Sequence, residues 1–137
     1  MTSPTAGTGG SAPVPQLLFV EPDAVDRTAI AGYLRDCGYH VIEAVSAEEA
    51  QSVLAERASE IDIAFIAVDL PGAMDGFALA NAIRERAASI RVLLVGTLAK
   101  AARLAGELCE KGPHLRKPYE PRALVDWVKR LRIPKTD

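Results

Sequence analysis

The chain has 137 residues, about half of them apolar and a quarter charged, with a formal net charge of −2. That is the profile of one globular domain with a single core. No run approaches the roughly 18 apolar residues a membrane span needs, and the N-terminus lacks the basic and apolar regions of a secretory signal. A soluble, cytoplasmic protein without membrane insertion is therefore expected. The charge is uneven: residues 111–137 carry eight Lys or Arg against three Asp or Glu, leaving the rest of the chain at −7. A basic end on an acidic body favours an anionic partner there. It equally suits a solvated helix whose C-terminal dipole is complemented by cations.

Residues 1–15 are almost entirely Gly, Pro, Ser, Thr and Ala. They cannot bury enough apolar surface to offset ordering, so a flexible tail or linker is expected. Structure is expected over 16–132, with a short tail at 133–137. Leu17 to Val20 has the length and apolarity of a strand. Val25, Ala29, Ile30, Tyr33, Leu34 and Cys37 then recur at helical spacing, and Gly38 stands where a helix commonly ends. Tyr39 to Val45 reads as a second strand. Ser46-Ala47-Glu48-Glu49 is a capping box that opens a helix to about Ala58. Ala50, Val53 and Leu54 face inward there, with Arg57 near the same stripe.

Ile61 to Ala67 is a buried strand that runs into the turn Leu70-Pro71-Gly72. A helix from about Gly76 to Ala88 uses Phe77, Ala80 and Ile83 as its inner face. Val92 to Val95 is a fourth strand, followed by a helix of about Ala99 to Glu110. Pro113 to Arg116 is a brief last strand. The final helix, about Pro121 to Leu131, places Leu124, Trp127, Val128 and Leu131 on one stripe, with Trp127 in the core. Cys37 and Cys109 are far apart in sequence and are expected to be reduced and half-buried. His40 and His114 suggest neither a metal site nor a catalytic pair.

Strands alternating with helices imply right-handed βαβ units and a parallel sheet covered on both faces. At this size the expected fold is a flavodoxin-like, doubly wound (βα)5 sandwich with strand order 2-1-3-4-5. Sites in such sheets form at the carboxyl ends of the strands. Here those ends are Val20-Glu21-Pro22-Asp23, Ala67-Val68-Asp69, Gly96-Thr97 and Lys117-Pro118.

Three stretches carry a family resemblance: Val20-Glu21-Pro22-Asp23-Ala24, Asp69-Leu70-Pro71-Gly72-Ala73-Met74-Asp75-Gly76 and Leu115-Arg116-Lys117-Pro118-Tyr119. In order and spacing they resemble the signature stretches of response-regulator receiver domains, over about residues 16–132. The resemblance implies a site where an acidic pair holds Mg²⁺, an aspartate accepts phosphoryl, a hydroxyl bonds the phosphoryl oxygen and a lysine pairs with its charge. It also implies a cis bond before Pro118, and it puts His114 at the position of the family's aromatic switch.

Set on that pattern, the chain keeps Glu21 and Lys117 but has Pro22 for the second acid, Ala67 for the acceptor and Gly96 for the hydroxyl residue. A methyl group cannot take phosphoryl, and one glutamate with a backbone carbonyl is a poor site for a hard octahedral ion. Neither Mg²⁺ binding nor an enzyme is expected. Glu21 and Lys117 are expected to pair across the vacant site. Asp69, two residues past Ala67, is the one alternative acceptor, and Thr97 the one substitute hydroxyl.

The function expected is therefore that of a pseudo-receiver in a two-component system. It would be an interaction module for a histidine kinase, a neighbouring receiver or a phosphotransfer protein, within a hybrid kinase or standing alone. The alternative is binding of cyclic di-GMP through Arg116, Tyr119, Arg122, Arg130 and Arg132, since arginine pairs with phosphate and stacks on guanine. Basic residues are few and no helix-turn-helix follows, so nucleic acid is not expected as a partner.

Overall fold

The computed structural model describes residues 14–111 and 121–132. In chain order they form β1 (Gln16–Val20), α1 (Ala24–Asp36), β2 (His40–Ala44), α2 (Ala47–Arg57), β3 (Ile63–Ala67), α3 (Gly76–Arg86), β4 (Arg91–Val95), α4 (Leu98–Lys111) and α5 (Pro121–Arg132). A short 3₁₀ turn, Ala58–Glu60, follows α2, and there Arg57 leaves the inner stripe to pair with Glu60 at 3.0 Å. The strands are parallel in the order β2-β1-β3-β4. The ladder begins one residue before the expected start, because the Pro15 carbonyl accepts from the His40 N–H at 3.1 Å. The expected fifth strand, residues 113–116, lies outside the described residues.

Local chemistry sets the helix starts. The side chains of Asp23, Ser46 and Asp75 accept from the N–H groups of Asp26, Glu49 and Ala78 respectively, each satisfying a donor that the first turn leaves open. Glu49 closes the capping box by accepting from the Val45 N–H at 2.9 Å, one residue before the cap. Gly38 ends α1 at φ 103°, a backbone region that favours glycine.

Alternate side chains of the strands feed two cores. Leu18, Val20, Ala64 and Ile66 pack with α2 and α3. Leu17, Phe19, Ile63 and Phe65 pack with α1, α4 and α5. The position of α4 departs from a simple doubly wound layout: a right-handed crossover to a strand outside β4 would put α4 beside α3. It lies instead against α1 and α5, burying Ala101, Ala102, Ala105 and Leu108 there. On the other face of β4, Val92 and Leu94 stay only partly buried.

Three expectations are corrected. Cys37 and Cys109 are not reduced: they form a disulfide with Cα atoms 5.3 Å apart, and both residues are fully buried. A separation of 72 residues hides this, because only the packing of α4 on α1 brings the two helix ends together. Phe77 does not face inward. It is 55% exposed, since α3 turns its Leu79, Ala80 and Ile83 to the core. Trp127 and Leu131 also leave the core, at 41% and 52% exposed, because α5 packs through a narrow seam of Leu124 and Val128.

The disulfide closes a long loop and removes conformational freedom from the unfolded chain. By the chain-entropy estimate its reduction costs about 4 kcal/mol of stability. A urea midpoint that does not move on reduction would show that the bond contributes nothing.

Candidate receiver cleft

The carboxyl ends of β1, β3 and β4 open into a cleft of about 240 Å³ lined by Glu21, Pro22, Asp26, Ala67, Val68, Asp69, Val95, Gly96, Thr97 and Leu98. It therefore gathers three of the four strand ends singled out in the sequence. The fourth carries Lys117, and with Arg116, Pro118, Tyr119 and His114 it lies outside the described residues, as does the expected Glu21–Lys117 pair.

The floor of the cleft is hydrogen-bonded main chain. The Val68 N–H donates to the Val95 carbonyl at 2.9 Å, joining the ends of β3 and β4. The Gly76 N–H donates to the Val68 carbonyl at 2.8 Å, so α3 begins directly against the strand end. Ala67, the last residue of β3, is only 8% exposed, and its methyl group offers no nucleophile. Asp69 is exposed on the cleft wall. A Cβ at Gly96 would meet nothing within 4 Å, so the position has room for a side chain. Thr97, the substitute hydroxyl read from the sequence, lines the cleft, and its Oγ1 also accepts from the Lys100 N–H at 3.1 Å, next to the start of α4.

Glu21 is held back by its own loop. Its carboxylate accepts from the Asp23 N–H at 2.8 Å, and its main-chain carbonyl accepts from Arg27 at 3.0 Å. Arg27 in turn pairs with Glu43 at 3.1 Å, and Glu43 with Arg35 at 2.9 Å. Burial raises the Glu21 carboxyl above its ordinary 4.5; the Asp23 N–H opposes this, while the nearby Asp26 and Asp23 charges add to it.

The native state thus holds a proton more tightly than the unfolded chain. The stability this group contributes is full below about pH 4.5 and is lost as pH rises through the native value. Glu21→Gln keeps the acceptor for Asp23 and has no charge to desolvate. Thermal melts from about pH 4 to 8 are expected to show a flatter profile and a higher neutral-pH midpoint for this variant. A lower neutral midpoint would contradict the account.

Arg122, Trp127 and Arg130 are exposed on α5. Arg132 is its last residue, with its side chain outside the description. Arg130 follows Trp127 by three residues and shares its side of the helix. Sequence reasoning missed Asp26, whose helix register brings it to the cleft wall. In the sequence Gly76 is part of a signature stretch, and its close backbone approach to Ala67 and Val68 emerges only from the structure.

Residues 17–129 match the family model of the response regulator receiver domain. The chain belongs to that family. Among curated relatives, it is 34% identical to the transcriptional regulatory protein AruR of Pseudomonas aeruginosa over 121 residues, covering 86% of this chain and 49% of the relative. It is 38% identical over 117 residues to the response regulator protein FleR of the same organism, covering 84% of this chain and 24% of the relative. The chain therefore spans half or less of the length of these relatives. Among solved structures, the receiver domain of an HD domain-containing protein from Pseudomonas fluorescens aligns with TM-score 0.59 and 26% identity, over 87% of this chain and 94% of that one. Chemotaxis regulator CheY4 of Vibrio cholerae aligns with TM-score 0.57 and 22% identity, over 87% and 99%, a likeness of fold. The fold is the CheY-like α/β sandwich with a parallel sheet, and receivers of this family serve two-component signal transduction with histidine kinases and phosphotransfer proteins as partners. No described helix is long and apolar enough to cross a membrane.

Proposed function

We propose that this receiver is not phosphorylated at the usual strand end and works as an interaction module within a two-component pathway. One observation carries the reading: the cleft presents Pro22, Ala67 and Gly96 where the chemistry needs two carboxylates and a hydroxyl. Phosphoryl transfer depends on positioning and on neutralising charge, so losing a metal ligand and the acceptor together removes both the site and its electrostatics. A domain without that switch acts through surfaces, holding a kinase, a phosphotransfer protein or another receiver in place.

The test is incubation with acetyl phosphate, or beryllofluoride, in Mg²⁺, followed by intact mass and amide shifts. No stoichiometric mass gain and no Mg²⁺-dependent shift at the cleft are expected. Phosphorylation that Asp69→Asn abolishes would move the acceptor to Asp69 and defeat the reading.

A second reading has one observation in its favour. Trp127 is exposed beside Arg130, so α5 offers an aromatic face and guanidinium groups to an anionic nucleotide such as cyclic di-GMP. Trp127 is the only tryptophan of the chain, so its fluorescence reports a titration directly. Trp127→Ala is expected to change folding stability by no more than about 1 kcal/mol, because the ring is not core. The same change, or Arg130→Ala with Arg132→Ala, is expected to weaken the α5 contact. A cooperative loss of fold in Trp127→Ala would return that residue to the core.

A further inference from the structure

We propose that Cys37 and Cys109 form a reversible dithiol–disulfide switch that fixes α4 against α1 and, through both helices, sets the shape of the cleft.

The bond lies where it has leverage. α1 and α4 both begin at the cleft, where Asp26 and Leu98 stand on its walls, and both end at the disulfide, Cys37 capping α1 and Cys109 in the last turn of α4. Two helices that share a cleft at one end and a covalent bond at the other move together. Packing alone holds α4 less completely. It contributes mainly alanines to this face, and Val92 and Leu94 on the far side of β4 stay partly exposed.

A second contact supports reversibility. The Tyr39 hydroxyl donates to the Leu108 carbonyl at 2.6 Å, bridging the residues next to both cysteines. It keeps the two thiols near each other when the covalent bond is open, so that an oxidising disulfide can close it again. One cysteine thiolate attacks that disulfide, forming a mixed disulfide and releasing a thiolate. The other cysteine then displaces the second thiolate, the oxidant taking up the two electrons and two protons.

Both cysteines are fully buried, yet the neighbouring Gly38 is partly exposed and Glu110 exposed, so fraying of either terminal turn admits a reductant. The co-reactant is a dithiol, of protein or small-molecule class. One of its thiolates attacks a sulfur, the S–S bond breaks and a mixed disulfide forms; its second thiol then displaces the cysteine. Two electrons and two protons end on Cys37 and Cys109, and the reductant leaves as its own disulfide.

The experiment compares the full chain after oxidised and after reduced dithiothreitol. Thiols are counted by alkylation and intact mass, helix opening by hydrogen exchange, and the cleft by amide shifts. No adduct in the oxidised protein and two in the reduced one are expected, interconverting in both directions. Amides in the last turns of α1 and α4 are expected to exchange at least about tenfold faster when reduced, with shifts at residues 21–26 and 95–98. Cys37→Ser with Cys109→Ser is expected to copy the reduced state and ignore oxidant; if that variant fails to fold, the reduced wild type still decides the matter. Two free thiols after oxidation would overturn the proposal. So would reduction that leaves exchange and cleft shifts unchanged, or that unfolds the whole domain, since the bond would then be a fixed staple.

Discussion

Ala67→Asp by itself is expected to leave the domain nearly inert toward acetyl phosphate and Mg²⁺, whereas Pro22→Asp, Ala67→Asp and Gly96→Ser together should give a phosphorylated protein. The single change supplies a nucleophile without the ion that must neutralise charge on the incoming group. Glu21 alone cannot hold that ion well, because its carboxylate is already engaged by the Asp23 N–H. Mg²⁺ gives up water reluctantly and needs several hard oxygens in a near-octahedral set. The triple change supplies the second carboxylate, the acceptor and the hydroxyl. Space for the hydroxyl already exists, since nothing lies within 4 Å of a Cβ at Gly96. A rate at least about 100-fold higher for the triple than for the single variant is expected, from the usual worth of one such electrostatic group. Comparable rates in a phosphoprotein mass assay would mean that the metal site is not the missing part.

Gly76→Ala is expected to be the most damaging small substitution near the cleft. A Cβ there would sit 2.2 Å from the Ala67 carbonyl oxygen and 2.8 Å from the Val68 Cα. Both are backbone atoms at the end of a buried strand, so no flexible side chain can yield. The start of α3 must lift away, which lengthens or breaks the bond from the Gly76 N–H to the Val68 carbonyl. Overpacking of this kind costs roughly 3 kcal/mol, or about 12 °C in the melting midpoint for a domain of this size. A midpoint within a few degrees of the wild type would show that α3 can slide without cost. Gly72 is a milder case: its φ of 93° favours glycine, but the atoms nearest a Cβ belong to the mobile carboxylate of Glu48.

Much of the fold was written in short-range chemistry. Asp23, Ser46 and Asp75 open helices because a carboxylate or hydroxyl next to the first turn meets its unpaired N–H groups, and Gly38 closes one because only glycine adopts its backbone angles freely. Apolar runs such as Leu17 to Val20 and Ile63 to Ala67 become central parallel strands because both their faces are covered. The cleft was legible for the same reason: strand ends are local features, and in a parallel sheet topology brings them to one edge. Pro22, Ala67 and Gly96 could therefore be placed at one edge from the sequence, and they line one cleft; the chemistry expected of those positions came from the resemblance to receivers.

What the sequence could not decide are matters of which face meets which. Trp127 and Phe77 fit helical stripes, yet both are exposed, because the width of a buried seam depends on how closely neighbouring helices approach. α4 carries an apolar stripe that would suit either face of the sheet, and tertiary packing placed it on α1. That choice in turn brought Cys37 and Cys109 together across 72 residues. Caps, turns and strand apolarity act within a few residues and so leave marks in the sequence. A disulfide between two helix ends depends on the summed packing of the whole domain, and so exists only in the folded structure.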